Sequence, residues 1–178
     1  MATKFSNIVD FDDMVGDFHL TYAEGYETRF NEMVTTNEYR VLINMLGASL
    51  YNTYVADQEL PAWADLLNGS EGYEDSFEVI RNWEGLVYLL VPFHYSTWVK
   101  INQYHSELTG MVFNNQENST LLSSHQINVI SNNAYNEFLR RYNECFIFLY
   151  TNLETYTEFD SYFVHYKPKG RVIKTSIL

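Results

Sequence analysis

The chain has 178 residues, enough for one domain that buries roughly 70% of its unfolded surface and folds without metal or disulfide. Hydrophobic residues make up 46% and charged residues 19%, which excludes a disordered chain. One cysteine, Cys145, excludes an internal disulfide and multi-cysteine zinc sites, and a net charge of −12 argues against ordinary nucleic-acid binding.

In chain order, residues 1–20 carry Asp10, Asp12, Asp13 and Asp17 among apolar residues and read as an extended or loosely turned acidic lead-in. A first helix is expected from about Thr21 to Met33, with Tyr22, Tyr26, Phe30 and Met33 on one face. Thr35-Thr36-Asn37-Glu38 offers a capping box in which Thr35 serves an early N–H and Glu38 reaches back. A second helix over 37–56 would follow, with Leu42, Leu46, Leu50 and Tyr54 in steps of four and Gly47 in its interior. A connection comes next, holding a short helical piece at Pro61–Leu67 with proline near its start.

The central helix is expected to begin near Asp75 or Ser76 and run to about Glu107. Ile80, Trp83, Val87, Leu90, His94, Thr97, Ile101 and Tyr104 form one seam of three- and four-residue steps. Pro92 lies inside it and predicts a kink near Leu89. Residues 108–122, with Gly110, Asn114, Asn115, Asn118 and Ser119, suit a protruding loop or small hairpin. A last helix over 124–157 is capped by Ser123 or Ser124. From Phe159, β-branched and aromatic residues around Lys167-Pro168-Lys169-Gly170 read as an extended arm. The expectation is an all-α, up-and-down helical bundle over 21–158, with a loop at 108–122 and an extended basic C-terminal arm at 159–178.

Catalytic patterns are lacking. None of the five histidines has glutamate three positions before it, and there is no H-E-x-x-H, phosphate-binding loop or nucleophile elbow. No cofactor or metal is therefore expected. Asp10-Phe11-Asp12-Asp13 lacks the glycine and distal glutamate of a calcium loop. His94 reads as a hydrogen-bonded core or interface histidine, and Cys145, among Phe146, Ile147 and Phe148, as a buried small hydrophobe. The series Phe93, Tyr95, Trp98 and Tyr104 has only Lys100 for a positive groove, so packing explains it better than base stacking. No secretory signal is apparent, and the longest apolar run, Leu86–Phe93, is far too short for a membrane span.

Charge is uneven along the chain. Residues 1–85 hold 16 acidic and 4 basic side chains, whereas 86–178 hold 7 of each. Four of those bases, Lys167, Lys169, Arg171 and Lys174, lie in the arm. Tyrosine is abundant, at 15 residues, which suits a wet aromatic core and surfaces buried between subunits equally well.

A set of short motifs between Glu38 and Tyr156 resembles the head-to-tail connector (adaptor) proteins of tailed phages of Bacteroidetes-type hosts, including crAss-like phages. These are Met45-Leu46-Gly47-Ala48-Ser49-Leu50-Tyr51, the Trp63…Asn68-Gly69…Glu71 block and Asn82-Trp83-Glu84-Gly85-Leu86. Thr109-Gly110 with Glu117-Asn118-Ser119, and Ala134-Tyr135-Asn136, complete the set. The resemblance implies a structural, non-enzymatic virion subunit that forms a homo-oligomeric ring, commonly of twelve copies. Such a ring docks on the portal protein, extends the DNA exit channel without sequence-specific binding, and offers a surface to other neck or tail proteins. The expected location is the virion neck, with assembly in the host cytoplasm and no membrane contact. Asp57, Glu59, Glu71, Glu74 and Asp75 are candidates for lining the channel or a subunit boundary. The arm residues Tyr162, Phe163, Val164, Tyr166, Lys167, Lys169, Arg171, Val172, Ile173 and Lys174 are candidates for partner docking. The alternatives are another phage ring or helical interaction module, and a helical-bundle enzyme.

Overall fold

A computed structural model describes residues 7–20, 25–105, 112–113, 120–121 and 123–159. Helices α1 (Tyr26–Leu46), α2 (Ala48–Ala56) and the short α3 (Ala64–Asn68) lead into strands β1 (Ser70–Glu74) and β2 (Ile80–Trp83). Helix α4 (Gly85–His105), strands β3 (Val112–Phe113) and β4 (Thr120–Leu121), and helix α5 (Ser124–Thr151) follow. The molecule is mostly helical, but it is not the expected all-α up-and-down bundle. An antiparallel hairpin, β1–β2, stands between α3 and α4. A second, two-residue antiparallel ladder, β3–β4, falls within 108–122, where a protruding loop or small hairpin was expected; the rest of that segment, and the arm beyond Phe159, lie outside the described residues.

Three expectations about the helices are corrected. The central helix begins at Gly85 rather than near residue 76, because residues 70–83 are committed to the hairpin. Ile80 fits the helical seam by spacing, yet it is 65% exposed, while Trp83 turns into the core. Gly85 has φ +95°, a left-handed conformation that cannot continue a helix. The helix expected over 37–56 is divided at Gly47, whose φ of +91° separates α1 from α2. The two helices expected on either side of residue 35 are instead one, α1. Thr35 and Thr36 donate their hydroxyls to the carbonyls of Asn31 and Glu32 (2.8 and 2.9 Å), so no capping box forms there. The box does form at α5, where Ser123 and Gln126 cap each other.

Glu38 has a different task. Its carboxylate is buried and accepts the backbone N–H groups of Ile8 and Val9, and it lies 3.2 Å from His94 Nε2. It thereby pins residues 7–20 onto the helices. The strap is two 3₁₀ turns whose apolar side chains Val9, Phe11, Met14 and Leu20 enter the core. Its acidic cluster is a cap: Asp10 accepts from the amides of Asp12 and Asp13 (2.9 and 3.3 Å), and Asp13 accepts from that of Asp10.

Helices α4 and α5 form the spine. Small residues let them approach: Ser131 donates its hydroxyl to the Ser96 carbonyl at 2.8 Å, and Ala134 is buried nearby. Pro92 sits inside α4 and cannot supply the N–H that the Tyr88 carbonyl would normally receive. Arg141 of α5 supplies it instead, donating Nη1 to Tyr88 O, while its guanidinium carbon lies 3.6 Å from the centroid of the Tyr88 ring. Glu137 accepts from Arg141 Nε at 2.8 Å and orients the group. One arginine thus repairs the helix and fastens α4 to α5.

Candidate functional site

The β1–β2 hairpin is the feature with the clearest functional character. Its base is built where two of the short motifs meet. A side-chain carbon on Gly69 would sit 2.5 Å from the Trp83 carbonyl oxygen, and one on Gly85 would sit 2.5 Å from that of Leu67. Both glycines have positive φ, so the strand ends cross backbone to backbone as only glycine permits. Trp83 locks the crossing by donating its indole N–H to the Leu66 carbonyl at 3.0 Å. Its ring stacks on Phe148 of α5, and Tyr73 of β1 meets the same ring edge-on.

From that base the strands run to a loop cinched by Asp75. This side chain is 5% exposed and accepts from the amides of Phe77 and Val79 (2.8 and 3.0 Å) and from Arg81 Nε. The bond from Arg81, followed by these amides, holds the Asp75 carboxyl below the usual carboxylate range despite its burial. Glu78 takes φ +61°, a strained value for a non-glycine residue. The loop turns apolar side chains outward: Phe77 is 80%, Ile80 65% and Val79 45% exposed. Glu74 and Glu78 are exposed at the same end of the hairpin, and Glu71 and Glu84 are exposed towards its base. Exposed apolar side chains near carboxylates on a braced projection are the kind of patch that marks an interaction surface.

The expected site residues fall into three groups. Glu71 and Glu74 are exposed on β1, Asp57 caps the end of α2, and Glu59 is exposed in the connection after it. Asp75 belongs with the loop's internal bonding and is not a free surface carboxylate. The arm residues 162–174 lie outside the described residues. The uneven charge drew attention to the acids of the first half, and nothing in it pointed to the apolar tip. Ile80-Arg81-Asn82-Trp83 does not alternate as a strand should, and its two apolar ends fit the helical seam by spacing.

A cleft of about 470 Å³ is lined by Phe18, Tyr95, Glu137 and Arg141 among others, but its arginine already donates to Glu137 and to the Tyr88 carbonyl. Hydrogen bonds from Arg140, then Arg141, hold the Glu137 carboxyl down at about 2. Cys145 is fully buried, and burial raises its thiol well above the ordinary value, away from reactivity. Among the described residues, no three His, Cys, Asp or Glu side chains gather to hold a metal ion, and no helix is long and apolar enough to cross a membrane.

Residues 42–162, more than half of the chain, match the family of unknown function DUF6712, and the chain belongs to that family. The matched segment runs from within α1 through the hairpin, α4 and α5, and excludes the N-terminal strap. No curated protein and no solved structure matches the chain.

Proposed function

We propose that this protein is a structural virion subunit, a head-to-tail connector that assembles as a homo-oligomeric ring on the portal protein and extends the DNA exit channel. The observation that carries the reading is the hairpin. A braced projection with Phe77, Val79 and Ile80 turned outward suits a subunit contact and leaves nothing arranged for a reaction. The motifs of the connector resemblance support it, because Asn68-Gly69 and Trp83-Glu84-Gly85 meet in space to build the hairpin's base. The acidic first half is compatible with a passage through which DNA slides without sticking. In this reading Asp57, Glu59, Glu71 and Glu74 rim the channel or a subunit boundary, and the arm at 162–174 docks on a neighbouring subunit or the portal. The protein acts without cofactor or metal, in the neck of the virion.

The test is electron microscopy and mass photometry of the purified full chain, alone and mixed with a portal protein from the same genome. Rings, free or on the portal, are the expected result. A protein that stays monomeric at high concentration and leaves the portal unbound overturns the reading.

A further inference from the structure

We propose that the hairpin is the receptor for the chain's own C-terminal arm, which lies over the apolar tip of the same subunit and keeps it covered before assembly. Three observations converge on this pairing, the first being charge. Around the hairpin, Asp75 and Arg81 neutralise each other, leaving Glu71, Glu74, Glu78 and Glu84 exposed. The arm brings four cations, Lys167, Lys169, Arg171 and Lys174, spaced over eight residues. These are also the densest cluster of bases in a chain whose first 85 residues hold only four. Opposite charges at this density select register and partner.

The second observation is apolar and backbone complementarity. Each hairpin strand has a single ladder partner among the described residues, which leaves each an outward edge, the Gly72 amide being bonded to the Asn82 side chain. Val164, Tyr166, Val172 and Ile173 of the arm are residue types that suit strand addition. Side chains alternating along an added strand would place apolar groups against Phe77 and Ile80 and lysines towards the carboxylates.

The third is where the described chain stops. Phe159 is buried and its amide bonds to the Tyr156 carbonyl, while the Tyr156 ring meets Phe148 of α5, the ring that also carries the hairpin through Tyr73 and Trp83. The described chain therefore ends near the hairpin's base. The eight residues from Phe159 to Lys167 can span up to about 26 Å when extended, roughly the distance from the base past a five-residue strand and its loop. A tether this short gives an effective concentration of order millimolar, so the chain's own hairpin outcompetes a neighbour's at ordinary protein concentration. Within the connector reading, on which this pairing does not depend, a neighbour in the ring would displace the arm only where many copies are held together.

The experiment is limited trypsin digestion of the full chain in its monomeric fraction, followed by mass spectrometry. Cleavage is expected after Lys169, Arg171 and Lys174, with Lys167 spared by the following proline. The reference is a synthetic peptide of residues 160–178. The arm in the intact protein should be cut about tenfold more slowly than the peptide, at a rate that does not change on dilution. Combining Glu71→Gln, Glu74→Gln and Glu78→Gln should restore most of that tenfold, as should high salt. Phe77→Ser with Ile80→Ser, at positions too exposed to harm folding, should do the same. Cleavage as fast as in the peptide, or protection unchanged by both hairpin variants, overturns the proposal. Protection lost on dilution assigns the arm to another copy and overturns it too. None of these outcomes depends on whether rings form, so failure here and failure of the connector reading are separately visible.

Discussion

Replacing Arg141 by methionine removes the guanidinium while keeping an unbranched apolar stem. The Tyr88 carbonyl then has neither the N–H that Pro92 lacks nor the Arg141 donor that replaces it. Stranding a buried acceptor costs about 1–3 kcal/mol, and loss of the contact with the Tyr88 ring adds about 0.5–1 kcal/mol. The expected destabilisation of Arg141→Met is therefore about 2–4 kcal/mol. Pro92→Ala supplies the missing N–H within α4, so in that background the carbonyl no longer depends on Arg141. The cost of Arg141→Met should then fall by about 1–2 kcal/mol. Urea unfolding of the four proteins, with slopes checked for equality, measures the coupling directly. Additivity within about 0.5 kcal/mol would show that Arg141 is not repairing the proline gap.

Three further outcomes are expected. Glu137 is held at about 2 against 4.5 in the unfolded chain, so its contribution is present above pH 4.5 and is lost as pH falls towards 2. The full shift corresponds to about 3 kcal/mol, and screening at the half-exposed Arg140 reduces this to about 1 kcal/mol, which a pH series of unfolding midpoints against Glu137→Gln will reveal. Gly85→Ala should cost more than about 2 kcal/mol, because the added carbon meets backbone and the φ is wrong, and thermal melts should show it where Gly72→Ala costs less. Glu38→Ala should cost about 2–4 kcal/mol and release the strap, read as faster hydrogen exchange at the amides of Ile8 and Val9, with residues of α5 unaffected.

What the sequence determined by itself is what rests on local chemistry or long periodicity. The Ser123 cap and the start of α5, the short helix after Pro61, the buried Cys145 and the core position of His94 were all legible, because each needs only its neighbours or an uninterrupted seam, whereas α5 ends at Thr151 and not at the expected residue 157. The tertiary structure decided what depends on distant partners. Thr35 to Glu38 has the pattern of a helix start, but burial against His94, 56 residues away, and against the amides of Ile8 and Val9 gave Glu38 another role. Ile80 and Trp83 satisfy a helical step of three as readily as opposite faces of a short strand, so spacing alone could not separate the hairpin from the start of α4. That choice came from Gly69 and Gly85 meeting backbone to backbone and from Trp83 stacking on Phe148. Arg141 reaches the Tyr88 carbonyl across 53 residues, a contact that no local pattern encodes. A backbone group freed by proline states a need, and only the packed fold determines which side chain meets it.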